Sequence, residues 1–176
     1  MKKERFYVFL DVDGVLWDWE WRIQNIRAGR LRKGGVITEF NKDSIDAVNA
    51  LLDCLGKRYN CRLVLSSTWR LDKNLAKEIL MRNGLTMDYG LDFTPVTATP
   101  KFRGREILTY LDKKANPQNI LIIDDEQFDF EKYFKKSQMI KTDIFKGGIN
   151  RQAVDKWLKA HGMEIMTEED VKVNEI

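Results

Sequence analysis

Four aspartates sit where carboxylates can act together. Asp11 and Asp13, in FLDVDG, are two residues apart; in extended backbone both side chains leave the same face, and Gly14 lets the chain turn tightly beside a ligand. Asp124 and Asp125 close the run ILIIDD. Adjacent carboxylates placed directly after aliphatic residues repel one another unless paired or metal-bound. Adding Asp124 or Asp125 to the first pair gives an oxygen-rich cluster suited to Mg²⁺, a hard ion that keeps waters and phosphate oxygens around it. The chemistry such a cluster supports is phosphoryl transfer. Asp11 attacks phosphorus in line to form an aspartyl-phosphate that water hydrolyses. Asp13 protonates the leaving oxygen and later deprotonates the water. The Ser66 hydroxyl and nearby N–H groups hold phosphoryl oxygens, and Arg103 neutralises the charge that accumulates. Ser67, Gly14, Lys101, Trp17 and Arg70 complete the candidate substrate-binding set.

These residues need elements to position them. Residues 6–10 form a continuous apolar run, as expected of a strand buried on both faces of a parallel sheet. A helix is predicted over 43–55, with Asp43 as N-cap and Gly56 as its stop. A strand follows at 61–65, then a helix over 72–83 with Leu75 and Ile79 inward. The stretch 93–96 is a strand interrupted by Pro95. A helix over 103–114, the strand ILIID at 120–124, a short helix over 128–134, a strand near 139–140 and a helix over 150–161 complete the alternation. The fold class is therefore α/β, a three-layer sandwich with a mainly parallel sheet, in which ligands bind at the carboxyl ends of the strands. Asp11, Asp13, Ser66, Ser67, Asp124 and Asp125 all follow such ends, and Arg103 opens the helix before the ILIID strand.

Each piece alone has a plainer use. Asp and Gly at a strand end can simply turn the chain. Ser66 and Ser67 suit a turn or helix cap, and Arg103 suits a solvated helix face. An EF-hand would need its glycine later and flanking helices. A glycosyltransferase DxD site would explain Asp11 and Asp13 but neither SSTWR at 66–70 nor the IIDD strand, and a receiver domain has the order reversed. His161, the single histidine, reads as a partner for a helix C-terminus. Cys54 and Cys61 fall in core-like segments and read as free thiols.

The segments FLDVDGVLW (9–17), LVLSS (63–67), RGREI (103–107) and IIDDEQFD (122–129) resemble, in order, the four signatures of the haloacid dehalogenase superfamily. Arg103 stands where Lys is commoner. More narrowly, SSTWR, Thr99-Pro100 ahead of RGREI, and the IIDD strand resemble the phosphatase-like domain of Swiss Army Knife RNA repair proteins. The resemblance implies a Rossmannoid HAD-like fold, and the second motif aspartate, Asp13, implies a phosphatase. It implies Asp11 as nucleophile and metal ligand, and Asp13 as acid/base and as a ligand through its backbone carbonyl. Asp125 would be the principal fourth-motif ligand, Asp124 its support, and Asp129 the trailing acidic position. Lys101 and Arg103 remain rivals for the third-motif cation.

A chain of 176 residues, 43% hydrophobic and 32% charged, is a globular mix of one-domain size. The expected organisation is a single domain with a small insertion over about 15–40 and a tail over about 163–176, the latter holding a possible helix cap at Thr167. No apolar run approaches the roughly 20 residues that span a bilayer, so a soluble, cytoplasmic protein is expected; a monomer is expected as well. Trp17, Trp19 and Trp21 precede a stretch, 22–33, that carries five cations (Arg22, Arg27, Arg30, Arg32, Lys33) and no Asp or Glu. These rings can cover the core, or they can form a flap whose aromatic faces stack on bases while the cations track phosphates. Too little chain separates the motifs for a sizeable cap domain. An open site suits a phosphorylated nucleotide or nucleic-acid end. The alternative is a catalytically silent nucleic-acid-binding or regulatory module on the same fold.

Overall fold

The structure is a computed structural model in which residues 2–34, 37–97, 102–112 and 119–165 are described. Its centre is a five-stranded parallel sheet of order β3-β2-β1-β4-β5, built from β1 (Arg5–Leu10), β2 (Asn60–Leu65), β3 (Leu91–Phe93), β4 (Ile120–Asp124) and β5 (Met139–Lys141). β1 is central: it pairs with β2 from Arg5↔Asn60 to Leu10↔Leu65, and with β4 from Tyr7↔Ile120 to Leu10↔Ile123. That register brings Asp11, Ser66 and Asp124 to one end of the sheet.

Alternation along the strands builds two cores. Phe6, Val8, Leu10, Leu63, Leu65, Leu121 and Ile123 face α2 (Lys42–Arg58), α3 (Lys73–Arg82) and α5 (Arg151–Ala160). Tyr7, Phe9, Val64, Ile120 and Ile122 face α4 (Arg103–Leu111) and the 3₁₀ turn Phe130–Lys132. Helices on both faces explain why residues 6–10 of β1 and 120–123 of β4 are continuously apolar rather than alternating. The three-layer α/β sandwich expected from the sequence is the architecture observed.

Boundaries differ from expectation in instructive ways. The N-cap of α2 is Asn41, whose side chain accepts from the Asp43 N–H; Asp43 lies in the first turn, where a negative charge still favours the helix. Gly56 does not stop α2, which runs on to Arg58; a Cβ there would come within 2.4 Å of the Tyr89 ring, so the glycine admits that ring. Leu75 is exposed while Ala76, Ile79 and Leu80 form the buried stripe of α3. The strand expected at 93–96 ends at Phe93, before Pro95, and the helix expected at 128–134 is a 3₁₀ turn. Helix α1 (Trp19–Arg27) has no counterpart among the helices expected from the sequence. Asp18 caps it by accepting from the Trp21 N–H at 2.9 Å, and a second bond from the Gly148 N–H ties this cap to the loop before α5. Thr99, Pro100, Lys101 and Thr167 lie outside the described residues.

Cys54 and Cys61 are both free and buried. Among the described residues no helix is long and apolar enough to cross a membrane.

Candidate active site

Asp11 follows the last residue of β1, and Asp124 is the last residue of β4; the Asp11 N–H donates to the Ile123 carbonyl at 3.0 Å, continuing the ladder to the rim. Carboxylate oxygens of Asp11, Asp124 and Asp125 lie within 4.8 Å of one another. Asp11 and Asp124 are buried, and Asp125 is half-exposed. Burial, then the neighbouring Asp124, holds the Asp11 carboxyl well above the usual carboxylate range against the pull of Arg103. Burial also raises Asp124, opposed by Arg103 and by the Glu126 N–H. Asp125 is pushed up to about 6 by burial and by Asp124. Three carboxylates forced together in a poorly hydrated place carry an electrostatic cost that a divalent cation relieves.

Arg103 supplies part of that relief. Its Nη1 donates to Asp11 Oδ1 at 2.8 Å and to Asp124 Oδ2 at 2.6 Å, and its guanidinium lies 4.3 Å from the centre of the Phe128 ring. Its placement depends on Asp129, which accepts from the Gly104 N–H at 2.6 Å and the Arg105 N–H at 3.3 Å and so satisfies the opening turn of α4. Asp129 thus orients the arginine's helix and is not in the carboxylate cluster. Lys101, the rival cation, falls outside the described residues.

Asp13 stands apart from the three. Its carboxylate accepts from Trp17 Nε1 at 2.8 Å and from Trp69 Nε1 at 3.3 and 3.2 Å, so two indoles fix its orientation. Gly14 has φ +73°, and a Cβ there would meet the Asp125 carboxyl at 2.5 Å. A side chain at residue 14 would therefore collide with a cluster member as well as strain the turn.

Ser66 and Ser67 are buried at the end of β2. Among the described residues the Ser66 hydroxyl has no partner. A buried hydroxyl without one costs free energy, and a phosphoryl oxygen is an acceptor to which such a group can donate. Ser67 caps the 3₁₀ turn Thr68–Leu71, accepting from the Trp69 N–H at 3.5 Å. Arg70 makes no hydrogen bond to the cluster carboxylates among the described residues. Its guanidinium pairs with Glu106 through Nη2 and donates through Nη1 to the Ser66 and Ser67 carbonyls, so both terminal nitrogens support the loop, while its buried Nε has no partner among the described residues.

The donor set therefore fits Mg²⁺: three convergent carboxylates, all raised in pKa by burial and two of them, Asp11 and Asp125, also by Asp124, at the strand ends where the Ser66 hydroxyl has no partner among the described residues. Histidine and cysteine take no part. His161 ends α5, stacked 4.0 Å from the Trp157 ring, and burial pushes the Cys61 thiol up to about 12. Sequence reasoning missed three contributors: Trp69 as a donor to Asp13, Phe128 under Arg103, and Glu106 as the partner of Arg70. Trp69 lies inside SSTWR, yet nothing in residue spacing shows that its indole reaches across 56 positions to Asp13.

Among known protein families, the one described as the HAD domain in Swiss Army Knife RNA repair proteins matches residues 7–163. No curated protein and no solved structure matches the chain.

Proposed function

The chain belongs to the HAD domain family of Swiss Army Knife RNA repair proteins, and from that premise we propose that it is a Mg²⁺-dependent phosphomonoesterase acting through an aspartyl-phosphate on nucleotides or polynucleotide ends. The observation that carries the reading is the convergence of Asp11, Asp124 and Asp125 within 4.8 Å beside Arg103, at the strand ends where α/β sheets bind ligands.

Asp11, Asp124 and Asp125 would hold the ion, with the Asp13 backbone carbonyl as a further ligand. Bound there, Mg²⁺ supplies Lewis acidity that draws charge from the phosphoryl oxygens. An Asp11 carboxylate oxygen attacks phosphorus as the bond to the leaving oxygen breaks, and Asp13 delivers its proton to that oxygen. Asp13 then takes a proton from water as the water oxygen bonds to phosphorus and the Asp11–phosphorus bond breaks. Trp17 and Trp69 keep the Asp13 carboxyl in one orientation through both proton transfers. Ser66 donates to a phosphoryl oxygen, and Arg103 balances the charge that builds up on the transferring group.

Purified protein with Mg²⁺ should release phosphate from an aryl phosphate, and Asp11→Asn should abolish release while circular dichroism stays unchanged. Wild-type turnover by the Asn variant would refute the mechanism. Phosphate release compared across 3′- and 5′-phosphorylated oligonucleotides, mononucleotides and phosphopeptides identifies the substrate class. One observation favours a second reading. The guanidinium of Arg103 already neutralises Asp11 and Asp124, which a catalytically silent module would keep for stability alone; that reading requires salt-sensitive RNA or DNA binding with no phosphate release.

A further inference from the structure

Arg22 is the one buried residue of α1, at 6% exposure. A buried arginine is ordinarily paired with a carboxylate. Among the described residues the Arg22 guanidinium has no ion pair and no hydrogen bond, in contrast to Arg70 and Arg103, which have both. It instead lines a cavity of about 370 Å³ together with Arg30, Arg32, Thr38 and Glu39. The chain returns on α1 to make this cavity: the Arg30 N–H donates to the Asn25 carbonyl at 2.9 Å, and Asn25 Nδ2 holds the Trp21 carbonyl at 2.8 Å. Three arginines face one glutamate, and Glu39 Oε2 already accepts from Thr38 Oγ1 at 3.1 Å. The balance of the cavity is cationic.

Its position links it to the reaction centre. Phe40 follows Glu39, its ring lies 5.5 Å from that of Trp69, and Trp69 donates to Asp13. On the other side, α1 begins directly after Trp17 and its cap Asp18, and Trp17 is the second donor to Asp13. Both walls of the cavity thus lead back to the acid/base carboxylate.

We infer that the Arg22–Arg30–Arg32 cavity binds a backbone phosphate of a single-stranded nucleic acid whose terminal phosphate lies at Asp11, so that the substrate is a polynucleotide end rather than a mononucleotide. This rests on the phosphatase reading for the position of the reacting group, but not for the cavity itself. Guanidinium forks match phosphate oxygens two at a time, and three of them around one cavity compensate a phosphate as a single ammonium does not. On the neighbouring surface Trp19, 41% exposed, offers a ring on which a base can stack, whereas the groove that Trp21 and Arg30 line also carries Asp18, Glu20 and Asp43 and does not suit a phosphate.

The test is fluorescence anisotropy with a labelled single-stranded oligoribonucleotide bearing a terminal phosphate, titrated across a series of salt concentrations against wild type, Arg22→Gln and the double variant Arg30→Gln/Arg32→Gln. The double variant alters exposed residues and keeps the test valid where Arg22→Gln fails to fold. The slope of log affinity against log salt should fall by about 0.7 for each phosphate that is no longer neutralised, with affinity weakened at least roughly tenfold for the double variant. Binding by the double variant within about twofold of wild type overturns the inference, as does a phosphopeptide bound as tightly as the oligonucleotide. Wild-type turnover of an aryl phosphate reports the other reading separately: arginine-dependent binding with no turnover overturns the phosphatase and leaves the cavity assignment standing.

Discussion

Arg70 and Arg103 begin alike and end in different roles. Both are buried, both come from motif segments, and both hold carboxylates. Arg70 pairs with Glu106, which also accepts from the Thr97 N–H at 2.7 Å and its hydroxyl at 2.9 Å. It donates as well to the carbonyls of Ser66 and Ser67, just past the end of β2, so its charge is spent on fixing that loop against α4. Burial lowers its pKa despite Glu106. Arg103 faces Asp11 and Asp124; burial opposes its charge, but the two carboxylates outweigh that and raise its pKa. A buried arginine's role follows from whether its partners have other work. Glu106 serves the fold, whereas under the proposed function Asp11 and Asp124 also engage a metal and a phosphoryl group.

Replacing each arginine separates the two roles. Arg70→Met strands Glu106 without its cation and should cost about 3–5 kcal/mol in urea unfolding, with no rescue by Mg²⁺. Equal rescue by Mg²⁺ would erase the distinction. Arg103→Met should lower kcat by about 10²–10³, while the stability it loses in EDTA returns when Mg²⁺ is added, because the ion compensates the same carboxylates. Turnover within a few-fold of wild type would remove Arg103 from the chemistry and promote Lys101.

A smaller effect sharpens the same contrast through pH. Asp11 and Asp125 have raised pKa values in the folded state, so they contribute most stability where both are protonated. That contribution is lost as pH rises from the ordinary carboxylate range through about 6, the value for Asp125. The metal-free protein should therefore weaken over that window. Mg²⁺ binds the deprotonated cluster, so the melting-temperature gain it confers should grow as pH rises through about 6. A gain independent of pH would place the ion elsewhere.

The parts of the site that are legible in the sequence belong to β1, β2 and β4. A parallel strand buried on both faces announces itself as an unbroken apolar run, and the polar residue that ends it must lie at the sheet's rim, so pattern alone brings Asp11, Ser66 and Asp124 together. Helix ends are less legible. Asn41 and Asp43 both suit the start of α2, and the choice depends on which side chain reaches the first free N–H. Helix α1 is hidden because its one buried residue is Arg22. Without an apolar stripe, the periodic signal of a helix is absent.

By itself the sequence determined the alternation of strands and helices and the strand ends at which Asp11, Ser66 and Asp124 stand, since each follows from local pattern and the rigid geometry of a parallel sheet. Only the tertiary structure decided that Trp17 and Trp69 hold Asp13, that Glu106 claims Arg70 while Arg103 is left to Asp11 and Asp124, and that Arg22 lines a cationic cavity with no carboxylate paired to it among the described residues. These are partnerships between side chains distant in sequence. Charge and hydrogen bonding depend on separations of a few ångströms, which chain order does not fix until the layers have packed.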